Sequence, residues 1–214
     1  MTLPPCYSWS PIGKPVSVAY EAPQGRRVNV IGAYFSHGTQ AGRFVYEAYA
    51  SLPKSQAKKR RKSPQQIAAD HGLWSAAEAE AVGPIDSGRL VRFLWRLAGR
   101  PPVHLSNWRR ERPLVVVLDN YSVHSSKAVK EALPELEAAN VFLFYLSSYS
   151  PELSAIEPIW NSVKHHQMQV RSYTVVGDLL RAVEAALARK ARGLWAQEQP
   201  AQEPITTKQL CTAA

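Results

Sequence analysis

The chain has 214 residues, which is enough for one domain with a substantial core. Hydrophobic residues make up 45% of it, which excludes a disordered chain, and no apolar run approaches the roughly 18 residues of a transmembrane helix. The formal net charge of +9 predicts a polyanionic partner, nucleic acid first. Without a secretory signal, and with only two cysteines that lie near opposite termini, the chain is expected to be cytoplasmic.

The first fifty residues predict β-strands. Apolar and polar residues alternate over residues 14–20, as in a half-buried strand. A turn then leads to a second strand over residues 28–35, and a third is predicted within residues 42–49.

Residues 52–86 interrupt this pattern. Six positive charges fall within nine residues, with no acid among them: Lys54, Lys58, Lys59, Arg60, Arg61 and Lys62. Such a run either contacts DNA phosphates or forms a solvated loop. Two short helices are predicted after it, starting near Ser63 and Ser75. They allow a helix-turn-helix interpretation, but neither has an evident recognition face, so residues 52–86 are interpreted as a basic helical insertion within one domain.

Two longer helices are predicted, at residues 87–98 and 174–192, and each is followed by a glycine that is expected to end it. Residues 194–214 are polar and are expected to form a flexible tail. The predicted domain therefore spans residues 1–193.

The stretch from Leu114 to Trp160 contains the features on which a function can be built. An apolar run at residues 114–118 ends in Asp119-Asn120, and a second run covers residues 141–146. Both runs are short and rich in β-branched or aromatic residues, so they predict buried strands. The segment between them predicts a helix that Pro134 should kink or shorten.

Two carboxylates accompany these strands. Asp119 stands at the carboxyl end of the first strand, where chemistry gathers in parallel sheets, and the loop after the second strand can return Glu157 to the same edge. Neighbouring carboxylates repel unless a cation lies between them, and oxygen ligands suit Mg²⁺ or Mn²⁺. Structural alternatives stay open, because Asp119 can cap a turn and Ser154-x-x-Glu157 matches a capping box.

The motifs around these carboxylates resemble those of a known family. They are an Asp-Asn pair with a histidine four positions on, at residues 117–124, and a Ser-Pro-Glu-Leu-Ser-Ala-Ile-Glu segment ahead of a tryptophan, within residues 145–160. Together with Val163-Lys164 they resemble the catalytic core of DDE transposases, in particular the bacterial insertion-sequence branch related to the mariner elements. On these motifs Asp119 matches the second catalytic acid of the family and Glu157 the third.

The resemblance implies an α/β fold with a ribonuclease H-like mixed sheet flanked by helices. In that family three acidic residues hold two divalent ions, Mg²⁺ or Mn²⁺, and the first acid lies a few residues ahead of the segment matched by Tyr7-Ser8-Trp9. No Asp or Glu precedes Glu21 here. We therefore expect the first acid and its strand to be missing, with unpaired edges and an exposed apolar face on both sides of the gap.

The implied function is metal-dependent DNA strand cleavage and transfer in transposition. The catalytic and metal-binding candidates are Asp119 and Glu157. The candidate DNA contacts are Asn120, His124, Lys164, Lys58, Lys59, Arg60 and Arg61. The expected partners are transposon-end and target DNA, with a homodimer as an open alternative to a monomer and no membrane. Two other functions stay open: a non-catalytic DNA-binding remnant, and another ribonuclease H-like nuclease that acts on RNA or hybrid duplexes.

Overall fold

The structure is a computed structural model that describes residues 11–14, 26–51, 64–101, 108–147, 150–168 and 173–198. Its strands are β1 (Arg27–Tyr34), β2 (Phe44–Ser51), β3 (Leu114–Leu118) and β4 (Val141–Tyr145). Its α-helices are α1 (Pro64–Asp70), α2 (Ala76–Glu80), α3 (Ser87–Ala98), α4 (Lys127–Ala138), α5 (Glu157–Ser162) and α6 (Val176–Glu198). A π-helical turn, Val163–Gln167, continues α5.

The described strands form two small sheets and not the single mixed sheet that was expected. β1 pairs with β2 in antiparallel register, from Arg27↔Ser51 to Tyr34↔Phe44. β3 pairs with β4 in parallel register, from Leu114↔Val141 to Leu118↔Tyr145, and α4 connects them. The α/β class is therefore confirmed, whereas the ribonuclease H-like arrangement stays a prediction. The strand predicted at residues 14–20 lies almost entirely outside the described residues.

Helix α3 lies against one side of both sheets. Its Phe93 and Leu97 are buried in one apolar cluster with Val45 of β2. Side chains of both sheets pack on that cluster: Ile31, Ala33, Phe35, Leu114 and Val116. Because one helix touches β1 and β3 in this way, the two sheets lie side by side, and α3 defines a common side for both.

The other side of the β1–β2 sheet carries the main core. Phe44 and Ala48 of β2 are buried there with Ile159 of α5 and with Leu180 and Leu187 of α6. Trp160 packs edge-on against Phe44 at 5.5 Å and lies directly over Gly32, where a Cβ atom would come within 2.6 Å of the indole. Trp160 therefore serves packing.

The prediction that β3 and β4 are buried strands was wrong for one of their faces. One face packs against α3 and α4 through Leu114, Val116, Val141 and Leu143. The opposite face carries Val115, Val117, Phe142 and Phe144, which are 42–59% exposed. Parallel strands this apolar are usually covered on both faces, but none of the described elements covers this one. We call these four side chains the open face.

The open face corresponds only in part to the exposed surface that the sequence predicted. An apolar face was expected on both sides of a gap in the sheet. The β3–β4 sheet has one, whereas the β1–β2 sheet is covered by α3 on one side and by α5 and α6 on the other.

Helix α6 continues past the glycine that was predicted to end it. The helix runs to Glu198, so the predicted stop at Gly193 was wrong, and residues 194–198 belong to the helix and not to a tail. Leu194 packs against the main core, which favours helix beyond Gly193 despite the glycine's low helix propensity. Within the part of the chain that the structure describes, no helix could span a membrane.

Helix α4 runs through Pro134, so the proline does not end it, and the predicted kink stays a prediction. Proline removes one helical hydrogen bond. Val129 and Leu136, on either side of Pro134, are fully buried, and this packing holds the helix together.

The α1–α2 hairpin is fastened to α6. The second helix starts after Ser75 as predicted, and Ser75 and Glu78 form a capping box there. Arg181 of α6 donates to Glu78 at 2.9 Å, to Asp178 at 2.7 Å and to the carbonyl oxygen of Gly72 at 3.0 Å. The two short helices are thus part of the same packed unit as the sheet.

Candidate active site

Asp119 follows directly after β3, at the carboxyl end of the strand. Strand residues alternate between faces, so Asp119 continues the series Val115 and Val117 on the open face. Its side chain is 61% exposed, which agrees with a place on the open face. Asp119 therefore lies on the side of the β3–β4 sheet that faces away from α3.

His124 holds one oxygen of this carboxylate. The Nδ1 atom of His124 lies 2.7 Å from Oδ1 of Asp119 and 3.0 Å from its main-chain oxygen. Both oxygens are acceptors, so Nδ1 carries a hydrogen and is directed at Asp119. The N–H of Tyr121 donates to the same Oδ1 at 3.0 Å, which forms the turn that the sequence allowed. The Oδ2 atom has no partner among the described residues.

The loop after Asp119 is tied to β4. The side-chain amide of Asn120 donates to the carbonyl oxygen of Leu146 at 2.5 Å. The hydroxyl of Tyr145 donates to the carbonyl oxygen of His124 at 3.0 Å, and burial raises the pKa of Tyr145, which keeps this donor protonated. These bonds fix the loop that carries the Asp119–His124 pair. Asn120 was predicted as a DNA contact. Its side chain holds the loop against Leu146, and a contact with DNA stays a prediction.

Glu157 is the first residue of α5 and does not form a capping box. The residue before the helix is Ile156, which makes no side-chain cap, and the N–H of Glu157 donates to the carbonyl oxygen of Ser154 at 3.1 Å. The capping-box interpretation of Glu157 is therefore wrong. Its exposed carboxylate forms no ion pair or hydrogen bond with any described residue.

The two carboxylates lie on the same side of the sheet layer. Helix α5 packs on the β1–β2 sheet through Ile159, on the face that α3 does not cover. Asp119 belongs to the face of the β3–β4 sheet that α3 also leaves free. The fold thus satisfies one condition for a shared site, since it places both groups on the side opposite α3.

The donor set suits a hard divalent cation. Asp119 keeps Oδ2 for a ligand, and both oxygens of Glu157 are available. Over the described residues, no three His, Cys, Asp or Glu side chains are grouped so that they could hold a metal ion. A pair of carboxylates still fits Mg²⁺, which commonly takes one or two carboxylates and completes its shell with water and substrate phosphate.

The remaining predicted contacts are distributed as follows. Lys164 is exposed in the π-helical turn after α5 and has no partner in the described ranges. Its role as a DNA contact stays a prediction. The basic residues Lys58, Lys59, Arg60 and Arg61 lie outside the described residues.

Two features of the site were missed by sequence reasoning. Tyr121 lies inside the Asp-Asn motif but was assigned no role, although an aromatic residue two positions after a strand-ending aspartate could have drawn attention. Tyr145 was assigned only to a strand. Its bond to the carbonyl oxygen of His124 spans 21 positions in the sequence, and no local pattern indicates it.

The chain was compared with known protein families. Residues 82–179 match the family described as DDE superfamily endonuclease. No curated protein matched the sequence. The matched range contains both Asp119 and Glu157, and it supports a nuclease of the DDE superfamily. A nuclease of this superfamily implies a nucleic acid as substrate.

Proposed function

We propose that this chain is a DDE-type transposase catalytic domain of the mariner-like insertion-sequence branch, which cleaves and joins DNA strands with Mg²⁺ or Mn²⁺. One observation carries the proposal: a strand-ending Asp119, oriented by His124, lies on the same side of the sheet layer as Glu157, whose carboxylate has no partner among the described residues. The family match over residues 82–179 supports it. The proposal includes a ribonuclease H-like relation between the two sheets.

Asp119 and Glu157 would hold the divalent ions, two in the intact family site. When bound, such ions activate a water or a 3′-hydroxyl and stabilise the leaving oxygen in phosphodiester cleavage. The protein contributes the orientation of the carboxylate ligands. His124 and the N–H of Tyr121 both engage Oδ1 of Asp119, so Oδ2 is presented in a fixed direction. The Tyr145 hydroxyl in turn holds the main chain at His124.

DNA would be held by basic side chains around these carboxylates. Lys164, two helical turns beyond Glu157 in sequence, and the run containing Lys58, Lys59, Arg60 and Arg61 are the proposed phosphate contacts, with Asn120 and His124 near the attacked bond. The net charge of +9 favours such binding. Binding should weaken as salt rises, because each phosphate contact releases counterions.

The test is nicking of supercoiled plasmid DNA by the full chain in Mg²⁺ or Mn²⁺, with EDTA as the metal-free control. We expect Asp119→Asn and Glu157→Gln each to abolish metal-dependent nicking. Glu152→Gln is the matched control, because Glu152 is an exposed carboxylate in the 3-10 turn before α5. Nicking that survives both active-site substitutions would remove these residues from the chemistry.

A panel of substrates distinguishes a transposase from a ribonuclease H-like nuclease that acts on RNA or hybrid duplexes. Duplex DNA, RNA and an RNA–DNA hybrid of one sequence would be compared under the same conditions. We expect cleavage of DNA. Preferential cleavage of the hybrid would contradict a transposase and support a ribonuclease.

A further inference from the structure

Tyr121 is an exposed aromatic residue beside the candidate active site. Its side chain is 63% exposed, and its hydroxyl makes no hydrogen bond within the described ranges. A tyrosine that only stabilises the fold usually buries its ring or pairs its hydroxyl. Neither holds here, so the ring is available to a ligand.

The ring is held at a fixed place relative to Asp119. The main-chain N–H of Tyr121 donates to Oδ1 of Asp119 at 3.0 Å. Its ring meets the ring of His124 at 76°, with 6.1 Å between centroids, and His124 itself contacts Asp119. A perpendicular contact covers at most one face of the phenol ring, so another face stays open beside the carboxylate.

A nucleobase fits this surface better than a phosphate does. Asp119 is a carboxylate that repels phosphate unless a cation intervenes. Base–aromatic stacking does not depend on charge, and it accepts any base because each has a π-face. A base reaches such a ring only when it is unstacked from its neighbours, as in a single strand or a frayed end.

We propose that Tyr121 is a stacking surface for the unpaired nucleobase next to the phosphodiester held at Asp119. This inference rests on the proposed function, which supplies the DNA strand. It adds to that function that the DNA is locally unpaired at the cleavage site in the complex, with little preference for the identity of the unpaired base.

The test measures binding of the full chain to two labelled 12-nucleotide strands, dT12 and an abasic strand with the same number of phosphates. Fluorescence anisotropy is recorded with Ca²⁺ in place of Mg²⁺. We expect Tyr121→Ala to weaken dT12 binding by about 5- to 150-fold, the range for losing one stacked base, and to leave abasic binding unchanged. Tyr121→Phe should bind dT12 like the parent chain, because it keeps the ring.

The control variant is Trp74→Ala, which removes another exposed aromatic side chain, 75% exposed, in the α1–α2 hairpin. It should change neither affinity. Equal affinities of Tyr121→Ala and the parent chain for dT12 would overturn the inference, as would equal losses on both strands or a loss in Tyr121→Phe that matches Tyr121→Ala.

The same preparations separate this inference from the proposed function. If the parent chain nicks DNA with metal and Tyr121→Ala binds dT12 unchanged, only the stacking role fails. If the parent chain neither binds nor nicks DNA, the proposed function fails and the stacking role fails with it.

Discussion

His124 contacts Asp119 in the candidate site, with 2.7 Å between Nδ1 and Oδ1. The same nitrogen lies 3.0 Å from the main-chain oxygen of Asp119, so the ring contacts the aspartate at two points. Two contacts fix the direction of a carboxylate more firmly than one. His124 is therefore a positioning residue for Asp119.

We expect His124→Ala to lower metal-dependent nicking by about 10- to 100-fold, the usual effect of removing a group that orients a metal ligand. The apparent Mn²⁺ requirement should rise in parallel, which a purely structural role would not cause. The measurement is the nicking rate as a function of Mn²⁺ concentration. His37→Ala is the control, because His37 is exposed and its ring hydrogen-bonds to its neighbour Ser36. An unchanged Mn²⁺ requirement in His124→Ala would contradict the positioning role.

Alanine substitutions at two glycines of α6 should change the free energy of unfolding in opposite directions. A Cβ atom on Gly177 would come within 2.0 Å of the carbonyl oxygen of Gly72, and backbone cannot yield as a side chain can. We expect Gly177→Ala to lower the free energy of unfolding by at least about 1–3 kcal/mol. Gly193 has open space around it, so Gly193→Ala should raise that free energy by about 0.5–1 kcal/mol.

Urea denaturation of both variants checks this. A destabilised Gly193→Ala would show that α6 ends earlier, at the glycine that the sequence predicted as its stop. A neutral Gly177→Ala would show that the α1–α2 hairpin does not pack closely on α6.

Adjacent valines of β3 test the open face. Val116 packs against α3 and α4, whereas Val117 is 53% exposed. Val116→Thr places a hydroxyl in the core and should lower the free energy of unfolding by about 1–3 kcal/mol. Val117→Thr has nearly the same shape and should change it by less than about 0.5 kcal/mol. Equal losses in the two variants would mean that the open face is covered in solution.

Glu78 should make the free energy of unfolding depend on pH in the acidic range. Hydrogen bonds from the main chain at Ser75, and the Arg181 guanidinium, lower the pKa of Glu78 from 4.5 to about 2. The folded state thus favours the charged form. Its contribution is complete above about pH 4.5 and is lost as the pH falls toward 2.

We expect Glu78→Gln to lower the free energy of unfolding at pH 7 by about 1–2 kcal/mol and to converge with the parent chain near pH 2. Glu80→Gln is the matched control at an exposed neighbour in α2, and it should change the free energy of unfolding at pH 7 by less than about 0.5 kcal/mol. The measurement is urea denaturation at several pH values. A constant difference between Glu78→Gln and the parent chain from pH 7 to pH 2 would contradict the lowered pKa.

Local patterns predicted most elements but not what covers them. The apolar runs at β3 and β4 were recognised as strands because they are short and β-branched or aromatic. Their burial on both faces was inferred from the same composition, and Val115 and Phe142 show why this failed: coverage depends on which distant element packs there. In the same way, the contact of Leu194 with the core extends α6 past Gly193, and no property of the glycine predicts it.

The candidate site also combines features that the sequence predicted with features that depend on tertiary contacts. The carboxylates Asp119 and Glu157 were predicted from strand ends and from the resemblance; Asp119 directly follows the carboxyl end of β3, and Glu157 is the first residue of α5. Whether Glu157 capped its own helix depended on backbone geometry at Ile156, which the sequence does not determine. The support of His124 by Tyr145 is a tertiary contact that needed coordinates.

The most direct test of the account is Mn²⁺ binding by the full chain, measured by electron paramagnetic resonance for the parent chain, Asp119→Asn, Glu157→Gln and the double variant. We predict that each single substitution weakens binding by more than about tenfold, because each removes a direct ligand, and that the double variant loses little more, since both act on one site. Glu157→Gln binding Mn²⁺ as tightly as the parent chain would contradict the shared metal site.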